Sequence, residues 1–251
     1  MDYVMRDSYH SGVAYRKFDY HRVIDTIRIL RIPDHDKNPE SNLCEYALGV
    51  EDGGLHAIES LLLARYAMYS QVYFHPIRRV YDLHLVDFLR SWLPNQVFST
   101  DIEEHLRYTD NEINVAIHEA LHNRHSSCHD PARRILSRDH LKLIYSANLV
   151  DRNLSTDPGQ RIFRALRSEF REHVFKRDSY RERHSPSGFP VRMSDGRILS
   201  SVGVSEILER LPLVAVDFVY TESCILEEAT MWLRSRRSQI LSGETRDADD
   251  G

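Results

Sequence analysis

Two short runs of this sequence carry side chains whose type and spacing could do chemistry. In LLLARYAMYSQVYFH, Arg65, Tyr69 and Tyr73 stand at i, i+4 and i+8, so a helix through them presents one cation and two phenols on one face. A guanidinium forks onto phosphate oxygens and an aromatic ring packs on a sugar, so this face suits a phosphorylated, sugar-bearing ligand. A half-buried tyrosine ladder beside a solvated arginine has the same spacing, because such stripes also arise from packing. The opening DYVMRDSYHSG adds Tyr3, Asp7 and His10, of which Tyr3 and Asp7 share a helical face. Asp7 could accept from a hydroxyl or pair with a neighbouring arginine.

The second run is HEALH, residues 118–122, which matches H-E-x-x-H. On a helix His118 and His122, four apart, could bind zinc while Glu119 activates water, the arrangement of a zinc-dependent metallopeptidase. His125, Cys128 and His129 follow closely and could complete a tetrahedral site. Against this, Cys128 occupies the place where a long-motif zinc protease has its third histidine, and His125 replaces the glycine that turns the chain back onto the metal. With 14 histidines in the chain, so short a pattern also arises by chance, and a solvated polar helix end is the preferred reading. The dipeptides His35-Asp36 and His129-Asp130 each lie close to a proline in what reads as a polar loop. Neither reads as a metal-binding doublet.

The elements that must position these residues are mostly helical through about residue 153. DYHRVIDTIRIL has Val23, Ile27 and Leu30 at helical spacing, LCEYALGV can form a strand, and EDGG is turn chemistry. A long helical stretch from Leu55 to about Leu93 must break near His75-Pro76, because proline lacks the N–H and clashes inside a helix. STDIEEHLRY and TDNEINVAIHEALHNR both open with helix N-cap signals. After Asn153 the character changes. A helix over about 158–173 leads into the loop-like RDSYRERHSPSG, then FPVRM, SDG and RILSS read as a hairpin. Ser205 can start a short helix, LVAVDFVYT is the clearest strand, and SCILEEATMWLRSR closes the sequence as a helix. The expected organisation is a mainly α domain over 1–153, a small α+β module over 154–240 and a disordered acidic tail over 241–251.

The bulk numbers set bounds. At 251 residues there is enough chain for one large or two modest domains with a core. A net charge of −5 argues against a general nucleic-acid or membrane coat. Three scattered cysteines (Cys44, Cys128, Cys224) make no disulfide framework and fit a reducing compartment. No signal-peptide pattern and no apolar run of about 18 residues is present, so a soluble cytoplasmic protein is expected.

DYVMRDSYHSG, FDYHRVIDTIRIL, GLHAIESLLLARYAMYSQVYFH and LRYTDNEINVAI together resemble the HD-domain deoxynucleoside triphosphate triphosphohydrolases, over about residues 1–150. The resemblance implies a mainly helical HD-type fold followed by a small α+β module. It also implies a reaction in which a divalent metal, held by His, His-Asp and a later Asp, directs water onto the α-phosphate of a deoxynucleoside triphosphate. Nucleoside and inorganic triphosphate would be released. Carried over by position, Arg65 would contact phosphate and Tyr3 would lie against the phosphates. Asp7 would accept from the sugar 3′-hydroxyl, Tyr73 would stack on the sugar and disfavour a 2′-hydroxyl, and Tyr69 would line the same pocket. In that family the last metal ligand falls just upstream of the Asp-Tyr pair, and here only Met1 precedes Asp2. The chain is therefore expected to keep part of the substrate wall without catalytic or metal-ligating residues, and to be inactive alone. A separate N-terminal HD half would complete it, and copies would associate into a homo-oligomer. A non-catalytic nucleotide-binding or assembly subunit stays open as an alternative.

Overall fold

The structure, a computed structural model, describes residues 1–15, 17–32, 45–181 and 188–243. In chain order the elements begin with α1 (Asp2–His10), α2 (Tyr20–Thr26), β1 (Ile27–Ile32), β2 (Glu45–Glu51), α3 (Leu55–Met68) and a π-helical segment, Tyr69–Tyr73. There follow α4 (Pro76–Trp92), α5 (Ile102–His105), α6 (Asp110–His122), α7 (His129–Leu136), β3 (Lys142–Ser146), α8 (Leu149–Leu154) and α9 (Pro158–Glu169). The last are β4 (Phe175–Arg181), β5 (Pro190–Arg192), β6 (Ile198–Ser200), α10 (Ser201–Val204), α11 (Glu206–Glu209), β7 (Ala215–Thr221) and α12 (Leu226–Ser242). The chain is mainly α with a small α+β part, as the sequence suggested. The run DHDKNPES with His35-Asp36 lies outside the described residues; of the acidic tail expected over 241–251, residues 244–251 lie outside them too, while Leu241 and Ser242 belong to the last turn of α12.

Two compact units divide the chain: 1–73 with 181–214, and 74–180 with 215–251. In the first, Val23 and Thr26 are buried on α2, but the helix ends at Thr26 instead of running through Leu30. The Thr26 hydroxyl donates back to the Arg22 carbonyl at 2.6 Å, a bond that competes with helix continuation. Ile27–Ile32 then pairs antiparallel with β2, Ile27 facing Val50. Leu30 is 5% exposed and Ile29 75%, the two-residue alternation of a strand. The helical spacing of Val23, Ile27 and Leu30 was thus overridden by a β partner that local periodicity does not reveal. β2 pairs parallel with β5, Val50 facing Val191, and β5 pairs antiparallel with β6, completing a four-stranded sheet. Gly54 lies so close to α2 that a Cβ there would sit 1.9 Å from Thr26 Oγ1, so only glycine fits. Val50, Leu55, Val191 and Leu208 form one core of this unit, and Val4, Phe18, Ala64 and Met68 another.

The helical stretch after Leu55 breaks where proline requires it. Pro76 occupies the first turn of α4, and extended His75 caps it by accepting from the Ile77 amide at 3.3 Å. In the second unit, Asp101 and Thr109 cap α5 and α6 as their sequences suggest, and Asp157 caps α9. The sheet of this unit runs β3-β7-β4. α9 and α12 cover it with Ile162, Leu166, Ala229 and Leu233 around Val219. Two sequence expectations need correction here. Arg177–Arg181, read as the start of the polar loop RDSYRERHSPSG, instead belongs to β4, because its place beside β7 supplies the hydrogen bonds that its polar composition conceals. His129-Asp130, also read as loop, opens α7, where Pro131 sits in the first turn and needs no amide partner.

Candidate functional site

The five residues singled out for a phosphorylated ligand come together in the first unit. Tyr3 and Asp7 lie one turn apart on α1, which packs on α3. Arg65 belongs to the last turn of α3, and Tyr69 and Tyr73 bound the π-helical segment that follows it. π-Helical turns of this kind occur frequently at functional sites. Met68 and Ala64, on the side of the helix turned toward Val4, are buried and set the rotation of the helix. All five candidate side chains are half-buried.

Tyr73 donates its phenolic proton to Asp7 Oδ2. Its ring lies 5.1 Å from that of Tyr69, edge-on, and 6.3 Å from that of Tyr3. The Arg65 guanidinium sits over the Tyr69 ring, 4.9 Å from its centroid, and also hydrogen-bonds Tyr3. Burial raises the pKa of both Tyr3 and Tyr73; the bond to Asp7 adds to this for Tyr73, and the nearby Tyr69 does so for Tyr3. Both phenols therefore stay protonated near neutral pH and can act as donors. A carboxylate accepts at two oxygens, so Asp7 keeps acceptor capacity after the bond from Tyr73. The arrangement offers a cation, neutral phenols and a carboxylate within one ring-lined surface. His10 stands apart from these contacts, with its ring against Tyr9 at 5.5 Å.

HEALH forms the last turns of α6 in the second unit. His118 and His122 are exposed, and Cys128 is buried at the start of α7. Among the described residues neither histidine belongs to a group of three side chains able to share one ion. Glu119 instead borders a cavity with Trp92, Arg107 and Tyr108. His129 directs Nδ1 to the Ala120 carbonyl at 3.3 Å, tying α7 to α6.

A family model, the HD associated region, matches residues 33–173, more than half of the chain. The chain belongs to this HD-associated family. An uncharacterized protein of Bacillus subtilis is 37% identical over 89 residues, which are 36% of this chain and 17% of that protein. One from Methanocaldococcus jannaschii is 40% identical over 82 residues, 33% of this chain and 16% of the relative. Among solved structures, a hypothetical protein from Aquifex aeolicus superposes with a TM-score of 0.71 at 27% identity, covering 92% of this chain and 56% of its own. A phosphohydrolase from Bacteroides thetaiotaomicron superposes at 0.59 with 20% identity, covering 88% and 60%, a likeness of fold alone. The chain therefore spans less than two thirds of the length of these relatives.

The HD kinship suggests a divalent metal, and the donor chemistry can be tested against it. Among the described residues one group of three side chains can share an ion: His173, Glu222 and Cys224. It contains a thiol, and it belongs to the second unit, whereas Asp7 and Arg65 belong to the first. A hard ion that activates water beside phosphate prefers oxygen and imidazole donors, so this group does not fit that role. Sequence reading missed it because His173 stands 49 positions from Glu222 and no local spacing joins them. The pair Glu222 and Cys224, directly after the strongest strand, was the available signal.

Proposed function

We propose that Tyr3, Asp7, Arg65, Tyr69 and Tyr73 form the sugar- and phosphate-facing wall of a deoxynucleoside triphosphate site. The reaction would be that of an HD phosphohydrolase releasing nucleoside and inorganic triphosphate. The observation that supports this reading is the convergence of the five side chains, from α1 and from the end of α3, with a guanidinium, two donor phenols and a carboxylate in mutual contact.

In this reading Arg65 takes phosphate oxygens and Tyr3 donates to them, both as charge-assisted hydrogen bonds. Asp7, oriented by Tyr73, accepts from the 3′-hydroxyl. The Tyr73 ring packs on the sugar and fills the space that a 2′-hydroxyl would need, while Tyr69 closes the side and holds the Arg65 guanidinium by its π face. When bound, the family's divalent ion would supply an activated water. The donor set described above does not fit it, so its ligands would come from a separate HD half. Association of copies into a homo-oligomer belongs to the same proposal.

The test is a binding matrix by titration calorimetry with the full chain, alone and with an HD half co-expressed. Wild type, Asp7→Ala, Arg65→Ala and Tyr73→Ala are each measured against a deoxynucleotide, a ribonucleotide and a 3′-deoxy analogue, all as triphosphates. The reading expects three different patterns. Arg65→Ala weakens every triphosphate, Asp7→Ala erases the advantage of a 3′-hydroxyl, and Tyr73→Ala lets ribonucleotides in. Equal losses in every column would make these residues structural and defeat the proposal.

A further inference from the structure

We infer that His173, Glu222 and Cys224 form a zinc site in the second unit, separate in chemistry from the nucleotide wall. Their ligand atoms, one from each residue, all lie within 4.8 Å of one another. His173 Nδ1 and Glu222 Oε2 are 3.5 Å apart. That is longer than a good N–H···O bond of about 2.7–3.2 Å. It is close to the roughly 3.3 Å that separates two ligands on a tetrahedral zinc with bonds of about 2.0–2.1 Å.

The fold brings the three together before any metal arrives. β4 and β7 are neighbours in the sheet; His173 lies two residues before the start of β4, and Glu222 directly after the end of β7. The Thr221 hydroxyl donates to the Val174 carbonyl at 3.3 Å, and the Val174 amide donates to Glu222 Oε2 at 3.3 Å. These bonds tie the loop carrying His173 to the turn carrying Glu222 and Cys224. Ligands held by such a frame lose little freedom on binding.

The electrostatics suit a divalent ion. Arg134 Nη2 occupies Oε1 at 3.1 Å and so orients the carboxylate with Oε2 toward His173. Hydrogen bonding of a ligating carboxylate by such an outer partner is a regular feature of metal sites. A bound Zn²⁺ would be neutralised by the carboxylate and by a Cys224 thiolate, leaving the Arg134 charge as the remainder. Cys224 is exposed, so its side chain can turn onto the ion. A thiolate, an imidazole and a carboxylate select a borderline metal such as zinc over magnesium or calcium. Three protein ligands leave a fourth position for water or an outside donor.

The experiment strips the full chain with chelator and titrates zinc against a chromophoric competitor, in wild type, Cys224→Ser, His173→Gln and His118→Ala. One zinc per chain is expected. Cys224→Ser and His173→Gln should each weaken binding at least tenfold, and His118→Ala should leave it unchanged. Cobalt(II) loaded in place of zinc should give wild type a thiolate charge-transfer band that Cys224→Ser lacks. Thermal unfolding of the metal-free proteins separates loss of a ligand from loss of fold. Should Cys224→Ser misfold, the wild-type cobalt band with the His173→Gln titration decides. Absence of zinc binding in wild type, unchanged affinity in a folded Cys224→Ser or His173→Gln, or loss of zinc in His118→Ala would each overturn the inference.

Discussion

Tyr73 donates its phenolic proton to the Asp7 carboxylate, joining positions 66 residues apart. This bond fastens the π-helical end of the α3 arm to α1 and holds the carboxylate in one orientation within the tyrosine cluster. The aromatic ladder and the aspartate, two weak signals in separate stretches of sequence, are one constellation in the structure.

The first prediction follows from that bond. Tyr73→Phe keeps the ring and removes the donor, so Asp7 loses its orienting partner. Folding stability should drop by about 1 kcal/mol, the net worth of a typical hydrogen bond. Discrimination against ribonucleotides should persist, because the ring remains, while the preference for a 3′-hydroxyl should shrink. Chemical denaturation and competition binding with 3′-deoxy triphosphates measure the two effects. An unchanged 3′-hydroxyl preference would separate Tyr73 from any ligand role of Asp7.

A second prediction concerns Arg65. Replacement by alanine removes a charged donor worth about 1.5–3 kcal/mol, so triphosphate binding should weaken roughly tenfold to a hundredfold. Arg65→Lys should recover part of this, since an ammonium supplies charge without the planar fork. Full recovery by lysine, read by calorimetry, would mean that only charge matters and that no bidentate contact is made.

The third is a pH dependence. His84 is fully buried on α4. Its Nε2 accepts from the Leu141 amide at 3.3 Å, and its Nδ1 has no partner among the described residues. Burial, followed by the charges of Arg134 and Lys176, lowers its pKa to about 4. Between that value and the ordinary 6.5 the unfolded chain binds a proton that the folded chain refuses. The contribution to stability is therefore complete above about pH 6.5 and is lost as pH falls toward 4, at up to about 1.4 kcal/mol per pH unit. His84→Gln keeps an acceptor for Leu141 without a titrating group. Urea denaturation at pH 7.5, 6 and 5 should give a shallower decline for this variant. Identical slopes would remove His84 from the acid sensitivity.

A fourth prediction addresses the ion network under α9. Arg177 Nε and Nη2 donate to the two oxygens of Asp217 at 2.8 and 3.1 Å, and the Gly159 amide donates to Asp217 Oδ2 at 3.0 Å. Asp217 is 8% exposed, so Arg177→Met would strand its charge and should cost about 3–5 kcal/mol. Arg177→Met combined with Asp217→Leu should recover much of that loss. Thermal melts of the two variants decide it, and a double variant no better than the single one would refute the argument. Gly159→Ala should also destabilise, because its Cβ would meet Asp217 Oδ1 at 2.0 Å.

Local chemistry was legible without coordinates. Proline at 76 had to end a helix, the runs opening STD and TDN had to start helices, and the run ending at Thr221 reads as a strand from composition alone. These features depend on a residue and its near neighbours. The helical spacing that placed Arg65, Tyr69 and Tyr73 on one face is of the same kind.

Partners at long range were not legible. Ile27–Ile32 has a helix-like spacing and became a strand because β2 offers it hydrogen bonds. Arg177–Arg181 has a loop-like composition and became part of β4 because it lies beside β7. The zinc motif that stood out, HEALH, ends as exposed side chains on α6, while His173, Glu222 and Cys224 converge with no motif to announce them. The sequence by itself determined which residues could do chemistry and where helices had to stop, because sterics and capping act over a few residues. Only the tertiary structure decided which side chains meet, because strand pairing and core packing join segments whose separation in sequence carries no energy term that local spacing can report.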